Sequence, residues 1–265
     1  MSETYTFGQH LREHTPDLEL PSDLARSLTE TMIKHSNLHA AFVNKAKENP
    51  FAPFLQPALY KDRSGRAAEL AAEAAEYLGN HGKTLIHDGM TSDRLIEKKG
   101  RLEVSYPTEL YRGPFGYDAA SLLVSFLLGW CHGNALIEDA FGRDDFCDSC
   151  LDLVSDLANG LIGSYDELFD ILADAPETEA ADFKRLYFEE MMPDLAAAAG
   201  LETLRVLMGD RPSPELQDIQ DLEKRAEAEH ILMYFAETCI KEKETFYFGA
   251  DFAAVIERAA REAEL

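Results

Sequence analysis

The chain has 265 residues, 46% of them hydrophobic, which is enough to bury a sizeable core in one large domain or two small ones. Asp and Glu outnumber Lys and Arg by 49 to 25, so the formal net charge is −24, and it is spread along the chain without an acidic tail. Nucleic acids and anionic membranes are bound chiefly by Lys and Arg, so this charge argues against both as partners.

The N-terminal sequence MSETYTFGQH has neither a basic start nor an apolar run, so we expect no secretion signal. Four cysteines without an export signal favour a reducing compartment, and we expect a cytoplasmic protein. The longest apolar run, from 119 to 137, approaches the length of a membrane span. Polar residues such as Ser121, Ser125 and His132 interrupt it, so we interpret it as a buried core helix.

The first part of the chain is predicted to be helical after an N-terminal arm at 1–20. Ser22 and Asp23 begin a first amphipathic helix that extends to about residue 35. The segment NPFAPFLQPALYKD, at 49–62, contains three prolines and predicts an irregular connection. A second helix follows from about 64 to 78, and GNHG at 79–82 ends it.

Three short extended segments follow at 84–87, 94–97 and 102–106, with KKG forming a turn between the last two. From there on the pattern is helical, in segments near 118–138, 145–160, 164–173, 179–191, 195–208, 214–243 and 249–264. The predicted fold is therefore mainly α, a single domain over 1–265 with a small β-hairpin element near 84–106. Loops held by a rigid helical body usually carry function, so chemistry is expected near the hairpin.

The segment KTLIHDGMTSDRLIEKKGRLEVSYPTELYRGPFGYDAASLL lies between a predicted helix and the apolar helix. It resembles the catalytic, C-terminal lobe of methylthioribose kinases, which belong to the aminoglycoside and choline kinase-like phosphotransferases. The likeness covers most of residues 20–245 and is specific at the loop and at RGPFGYD. It implies the helical C-terminal lobe of the protein-kinase-like fold. Nothing in the chain corresponds to the family's first lobe, which covers the ATP phosphates.

The resemblance also implies that the catalytic loop is altered. Where the family has His, Gly, Asp, this chain has His87, Asp88 and Gly89, so the carboxylate is displaced by one residue. Phosphoryl transfer depends on a carboxylate that orients the attacking hydroxyl, and a shift of about 1 Å can cost roughly 100-fold in rate. We therefore interpret His87, Asp88 and Gly89 as a vestigial loop.

The metal-binding segment that the resemblance implies is altered as well. The family's Asp, Pro, Glu corresponds to Tyr106, Pro107 and Thr108, so both magnesium ligands are replaced by uncharged residues. Glu109 follows directly, but it would have to act from a shifted register. Because magnesium requires well-placed oxygen ligands, we expect no metal site and no intact catalytic residue here.

The resemblance indicates candidate ligand-binding residues as well. The family's sugar-binding helix has two adjacent arginines where this chain has Arg205 and then Val206. Arg112, before the RGPFGYD turn, is a candidate for an anionic ligand, and His87 and Asp88 complete the set. Ordinary surface ion pairs are the alternative for both arginines. His87 is expected to hydrogen-bond backbone around the loop, and Asp118 to cap the apolar helix.

Other motifs have structural interpretations. Cys147 and Cys150 form a CxxC on one face of a predicted helix, which we interpret as inert core thiols; a metal site completed by Cys131 and His132, or a redox role, stays open. His35 and His39 have a metal-compatible spacing but are assigned packing or solvent roles. The aromatic residues at 246–252 either dock the last helix or form a partner surface.

These observations favour a non-catalytic, pseudokinase-type protein that acts as a binding, regulatory or scaffold module without a cofactor. It would self-associate or bind a protein partner through the surface left by the missing first lobe. One alternative is a phosphotransferase on a small sugar such as methylthioribose, with its first lobe from another chain. It would use ATP and magnesium, Asp88 as base, Glu109 on the metal and Arg205 on the substrate. Another is a sugar-binding sensor without turnover.

Overall fold

The structure, a computed structural model, describes residues 5–34, 65–81, 83–87, 90–98, 101–105, 110–172, 177–208 and 213–263. Nine α-helices lie within these ranges: α1 Phe7–Arg12, α2 Leu24–Lys34, α3 Gly65–Asn80, α4 Tyr117–Leu136, α5 Ala140–Leu172, α6 Glu177–Met208, α7 Pro214–Asp218, α8 Leu222–Lys241 and α9 Gly249–Ala263. Four short strands accompany them: β1 Lys83–His87, β2 Leu95–Lys98, β3 Arg101–Val104 and β4 Leu110–Pro114. The prediction of a mainly helical fold with a small β element is confirmed.

The strands form two separate antiparallel pairs. β2 and β3 make the predicted hairpin, and β1 pairs with β4. Strand β4 was not predicted, because Gly113 and Pro114 mark a turn and its partner strand lies more than twenty residues earlier. The candidate loop is the segment 87–89 of the sequence analysis. Pairing with β4 places β1, the strand that leads into this loop, beside the chain that enters the turn before α4.

Helix α4 forms the centre of the core, as predicted. Along nearly its whole length its side chains are buried, and it contacts α1, α5, α6, α7 and α8. Among the described residues it is the one helix long and apolar enough to cross a membrane, yet 89% of its most apolar window is buried inside the protein. Gly116 precedes it with a φ of +80°, a conformation that glycine adopts without strain.

Two of the predicted helix breaks are wrong. α5 continues past Gly160, where an added Cβ would lie 2.8 Å from the Cβ of Ala25 in α2. This glycine therefore serves close helix packing and does not end the helix. α6 continues past Pro193, although proline removes one backbone hydrogen bond, since Leu195 to Ala199 are completely buried. The predicted segment 214–243 is instead divided into α7 and α8, and Asp221 caps α8.

Within the predicted N-terminal arm, residues 7–12 form a helix that the sequence analysis did not predict. Thr6 and Gln9 form a reciprocal capping box at its start. Phe7 and Leu11 are buried, and the Glu97 N–H donates to the Tyr5 carbonyl at 2.8 Å. α1 is thereby attached to both β2 and α4. The predicted irregular connection at 49–62, and His35 and His39, lie outside the described residues.

Candidate functional site

A cleft of about 460 Å³ opens beside the chain segment that follows the candidate loop. Its walls come from the 3-10 turn Ser92–Arg94, from α4, from the C-terminal end of α6 and from α7. The polar residues that line it are Thr91, Ser92, Asp93, Arg94, Ser121, Ser125, Glu202, Arg205, Ser213 and Glu215. We call it the Arg205 cleft, because it contains the residue that the resemblance assigns to sugar binding.

Arg205 is held in the cleft wall by a buried carboxylate. Its Nε donates to Glu202 Oε2 at 2.6 Å and its Nη2 donates to Oε1, so the guanidinium binds the carboxylate with two parallel hydrogen bonds. The Tyr117 hydroxyl also donates to Glu202 Oε2, at 2.6 Å. Arg205 is 8% exposed and Glu202 2% exposed. Arg205 is therefore a buried, positioned charge, and its interpretation as an ordinary surface arginine is wrong.

The electrostatics of this triad favour a charged arginine beside a neutral phenol. Burial opposes the charge on Arg205, but its hydrogen bonds to Glu202 outweigh that effect and keep its pKa above the ordinary value. Burial and the Glu202 charge raise the pKa of Tyr117 well above its ordinary value. At physiological pH the wall thus presents a guanidinium and a carboxylate, and the neutral Tyr117 hydroxyl donates to that carboxylate. These groups hydrogen-bond to ligands that carry several hydroxyls.

The opposite rim of the cleft depends on helix α1. Arg12 binds Asp93 at 3.0 Å and Glu215 at 2.8 Å, which connects the 3-10 turn to α7. Thr6 donates a second hydrogen bond to Asp93, at 2.9 Å. Gly8 lies so close that an added Cβ would be 2.2 Å from Asp93 Oδ1. Residues near the N-terminus therefore position an acidic side chain at the mouth of the cleft.

The 3-10 turn is also anchored to the core helix. The Ser92 N–H donates to Ser125 Oγ at 3.0 Å, and the Ser125 hydroxyl donates to the Leu122 carbonyl at 2.7 Å. Arg94 ends the turn with an exposed side chain in the cleft lining. The cleft thus has a second guanidinium, which is less buried than that of Arg205.

His87 lies at the end of β1, outside the cleft lining. Its N–H donates to both carboxylate oxygens of Asp118, at 2.9 and 3.0 Å, and its ring Nδ1 lies 3.0 Å from Asp118 Oδ2. Asp118 therefore binds the strand. The N-cap position of α4 is Gly116, two residues before Asp118, so the prediction that Asp118 caps this helix is wrong. The Asp118 carboxylate fixes the direction in which β1 enters the loop.

The structure does not bring all the predicted site residues together. Asp88, Gly89, Tyr106, Thr108 and Glu109 lie outside the described residues. Arg112 lies in β4 opposite Leu85 and is half-buried, and it is not among the described residues that line the cleft. Of the three candidate ligand-binding residues that the structure describes, His87, Arg112 and Arg205, only Arg205 lines the cleft.

The cysteines form buried thiols of low reactivity. Cys147 and Cys150 lie on α5, and all four cysteines are buried and reduced. Burial raises the pKa of Cys147 to about 12 and that of Cys150 well above its ordinary value. Because the thiolate is the nucleophile and the metal ligand, these pKa values support the interpretation as inert core thiols.

Sequence reasoning missed several of the cleft residues. Glu202 precedes Arg205 by three residues in a helix, so their spacing alone indicates a contact. Tyr117 and Glu215 carry no local signal of this kind, because their partners are 85 and 203 residues away in the chain. Those contacts required the tertiary structure.

Comparison with known proteins gives two partial similarities. The chain is 26% identical over 172 residues to the methylthioribose kinase of Citrobacter koseri, which covers 62% of this chain and 41% of that enzyme. It is 23% identical over 183 residues to the methylthioribose kinase of Pectobacterium carotovorum, covering 68% and 45% respectively. The chain spans less than half the length of these curated relatives. No protein-family profile matches it. The similarities support a kinase-like relationship.

Proposed function

We propose that this chain is a kinase-like binding protein that takes a small sugar or sugar alcohol in the Arg205 cleft and does not itself transfer phosphate. In this role it serves as a sensor, regulator or scaffold. The observation that carries the proposal is the buried pair of Arg205 and Glu202 in the cleft wall, with the Tyr117 hydroxyl bound to Glu202. Burying an ion pair is costly unless its geometry is well satisfied, and this pair faces an open cleft of ligand size.

The sequence around the loop supports the absence of phosphate transfer. Asp88 precedes Gly89 instead of following a glycine, and Tyr106 and Thr108 carry no charge. Asp118 provides the described carboxylate beside His87, and this carboxylate binds the backbone and the ring of His87. Positioned carboxylates and their metal ions supply most of the rate in phosphoryl transfer, so these features favour binding over turnover.

Ligand binding is tested by calorimetric titration of the purified chain with methylthioribose and ribose, followed by thermal unfolding. We expect saturable binding of a sugar, with a stabilisation of about 2.7 kcal/mol at 100 times the Kd. Arg205→Lys keeps the charge but loses the two-pronged geometry, so it is expected to weaken binding at least about tenfold. Arg225→Lys, in an exposed pair with Glu229, is the matched control and should bind like the wild type. Equal affinity in both variants, or no binding at millimolar sugar, contradicts the proposal.

The second candidate is a phosphotransferase, which the similarity to two methylthioribose kinases favours. It requires ATP, magnesium, Asp88 and Glu109, with a first lobe from another chain. The same purified protein is incubated with ATP, magnesium and methylthioribose, and products are analysed by mass spectrometry. Phosphorylated sugar that disappears in Asp88→Asn would establish turnover and overturn the non-catalytic proposal.

The regulatory part of the proposal requires a protein partner or self-association. Phe246 packs on Phe252 of the last helix with ring centroids 4.6 Å apart, and both are buried, while Tyr247 and Phe248 are 66% and 64% exposed. Adjacent exposed aromatic side chains are typical of interaction surfaces. We expect light scattering of the wild type to show an oligomer or a complex with a co-purifying protein. In the double variant Tyr247→Ser, Phe248→Ser, the oligomer should dissociate or the partner should no longer co-purify. A strict monomer without a partner contradicts this part.

A further inference from the structure

We propose that His81, Glu190 and Asp194 form a binding site for a divalent transition-metal ion of the zinc class. The site lies away from the Arg205 cleft, between the end of α3 and the middle of α6. One nitrogen or oxygen from each residue can serve as a ligand, and these three atoms all lie within 4.8 Å of one another. His81 Nδ1 is 2.7 Å from Asp194 Oδ1 and 3.9 Å from Glu190 Oε2.

These distances are close to those of a tetrahedral site. Zinc bonds to nitrogen and oxygen of about 2.0–2.1 Å place neighbouring ligand atoms about 3.4 Å apart. The short contact of His81 with Asp194 would have to open slightly, and the longer one with Glu190 would have to close by a similar amount. The oxygens of Glu190 and Asp194, which lie within 4.8 Å of each other, would approach in the same way, by rotation of the side chains.

The backbone supports this arrangement from two directions. Glu190 and Asp194 are one turn apart in α6, so their side chains lie on the same face of the helix. His81 directly follows α3, and the Tyr77 ring stacks on its imidazole with centroids 4.0 Å apart. The three ligands thus come from α6 and from the residue that follows α3, and these two helices pack against each other.

The charge balance also favours a cation. Asp194 is 2% exposed and Glu190 is half-buried, and within the described part of the chain their ion pairs are those with His81. The nearby Lys243 ammonium instead lies 4.6 Å from the centre of the Tyr77 ring and donates to the Ile240 carbonyl. Two carboxylates therefore share one imidazole in a partly dehydrated site, where unpaired charge is costly.

The donor set indicates the class of metal. Imidazole with carboxylates suits zinc and its neighbours in the first transition row, whereas calcium and magnesium prefer oxygen alone. Three protein ligands leave a fourth position for water. β1 begins two residues after His81 and ends at His87, so a bound ion would fix the strand that leads into the candidate loop.

The competing explanation is a simple hydrogen-bonded pair of His81 and Asp194, with Glu190 as a bystander. Glu190→Gln distinguishes the two, because it removes a metal ligand but leaves that pair intact. Glu189→Gln is the matched control, since Glu189 is the preceding residue in α6 and its carboxylate is exposed beside Arg185. His81→Gln removes the imidazole.

The experiment titrates Zn²⁺ and Co²⁺ into the chelator-treated full chain by calorimetry and visible absorption. We expect one ion per chain, and a Kd that increases at least about 10- to 100-fold in Glu190→Gln and in His81→Gln but not in Glu189→Gln. Bound Co²⁺ should show tetrahedral absorption bands without thiolate charge-transfer bands. Thermal unfolding of metal-free Glu190→Gln at the wild-type temperature shows that the variant is folded.

Three results would overturn the proposal. The first is the absence of saturable binding. The second is an unchanged Kd in folded Glu190→Gln, which would leave only the His81–Asp194 pair. The third is a cobalt spectrum with thiolate bands, which would assign the ion to the buried cysteines.

Discussion

Replacing Glu202 with alanine is expected to lower the free energy of unfolding by about 3–5 kcal/mol. The substitution removes the carboxylate that binds both the Arg205 guanidinium and the Tyr117 hydroxyl, and Arg205 is only 8% exposed. A guanidinium left in such a position loses its counter-charge without regaining full hydration. The measurement is urea denaturation followed by circular dichroism, at neutral pH.

The control for this prediction is Glu229→Ala. Glu229 pairs with Arg225 at 3.0 Å on the exposed face of α8, four residues apart, so its loss should cost about 0.3–0.5 kcal/mol. Glu202→Gln keeps the side-chain shape but removes the charge, and it should fall between the two. Comparable losses in Glu202→Ala and Glu229→Ala would mean that the cleft wall is not held by this carboxylate.

The second large effect is expected in acid, at a contact between the N-terminal segment and the core. His14 Nε2 lies 2.8 Å from Nδ1 of His132 on α4, and His132 is 3% exposed. The charged groups around this pair are Arg12, Glu215 and Asp218, whose Oδ2 is 3.7 Å from His132 Nε2. Burial and the neighbouring imidazole lower the pKa of His14 to about 4, and burial lowers the pKa of His132.

This contact should make the protein less stable as the pH falls from about 6.5 to about 4. In that range the unfolded chain protonates His14 while the folded chain does not, so acid favours unfolding. After allowance for partial exposure of His14, we expect a loss of about 1–2 kcal/mol. His81 contributes in the opposite direction. Its hydrogen bond to Asp194 raises the pKa of His81, so the folded chain takes up a proton more readily than the unfolded chain, and acid favours the folded state at this residue.

Comparison with His14→Gln isolates the contribution of this contact from the titration of the many carboxylates. Stability is measured by urea denaturation at several pH values between 4 and 8, and the difference between wild type and variant is taken at each. The wild type should lose its advantage as the pH falls. A difference that does not change with pH would show that the pair of histidines does not titrate in this range. His230→Gln serves as the control in an exposed position.

Much of the architecture could be predicted from local patterns. The apolar run of α4, the helical spacing of the apolar residues in α2 and the pairing of β2 with β3 all depend on residues within a few positions of each other. Where a local signal conflicted with packing, packing prevailed. Gly160 and Pro193 are normal helix breakers, yet both lie inside long helices whose buried faces outweigh the local cost.

The candidate site was predictable only in part, because several of its contacts join residues that are far apart in the chain. Arg205 was identified through the resemblance of its helix, but its burial and its bond to Glu202 were not. The partners of the 3-10 turn, Thr6 and Arg12, belong to a segment that carried no functional signal. A surface role and a cleft role for an arginine have the same local sequence pattern.

The sequence by itself determined the helical class, the order of most elements and the central apolar helix. Only the tertiary structure decided that β4 pairs with β1, that His14 contacts His132, and that His81 meets Glu190 and Asp194. The physical reason is the range of the interactions. Periodicity and capping act between residues a few positions apart, whereas His81 and Asp194 are separated by 113 positions and meet only when α3 packs on α6.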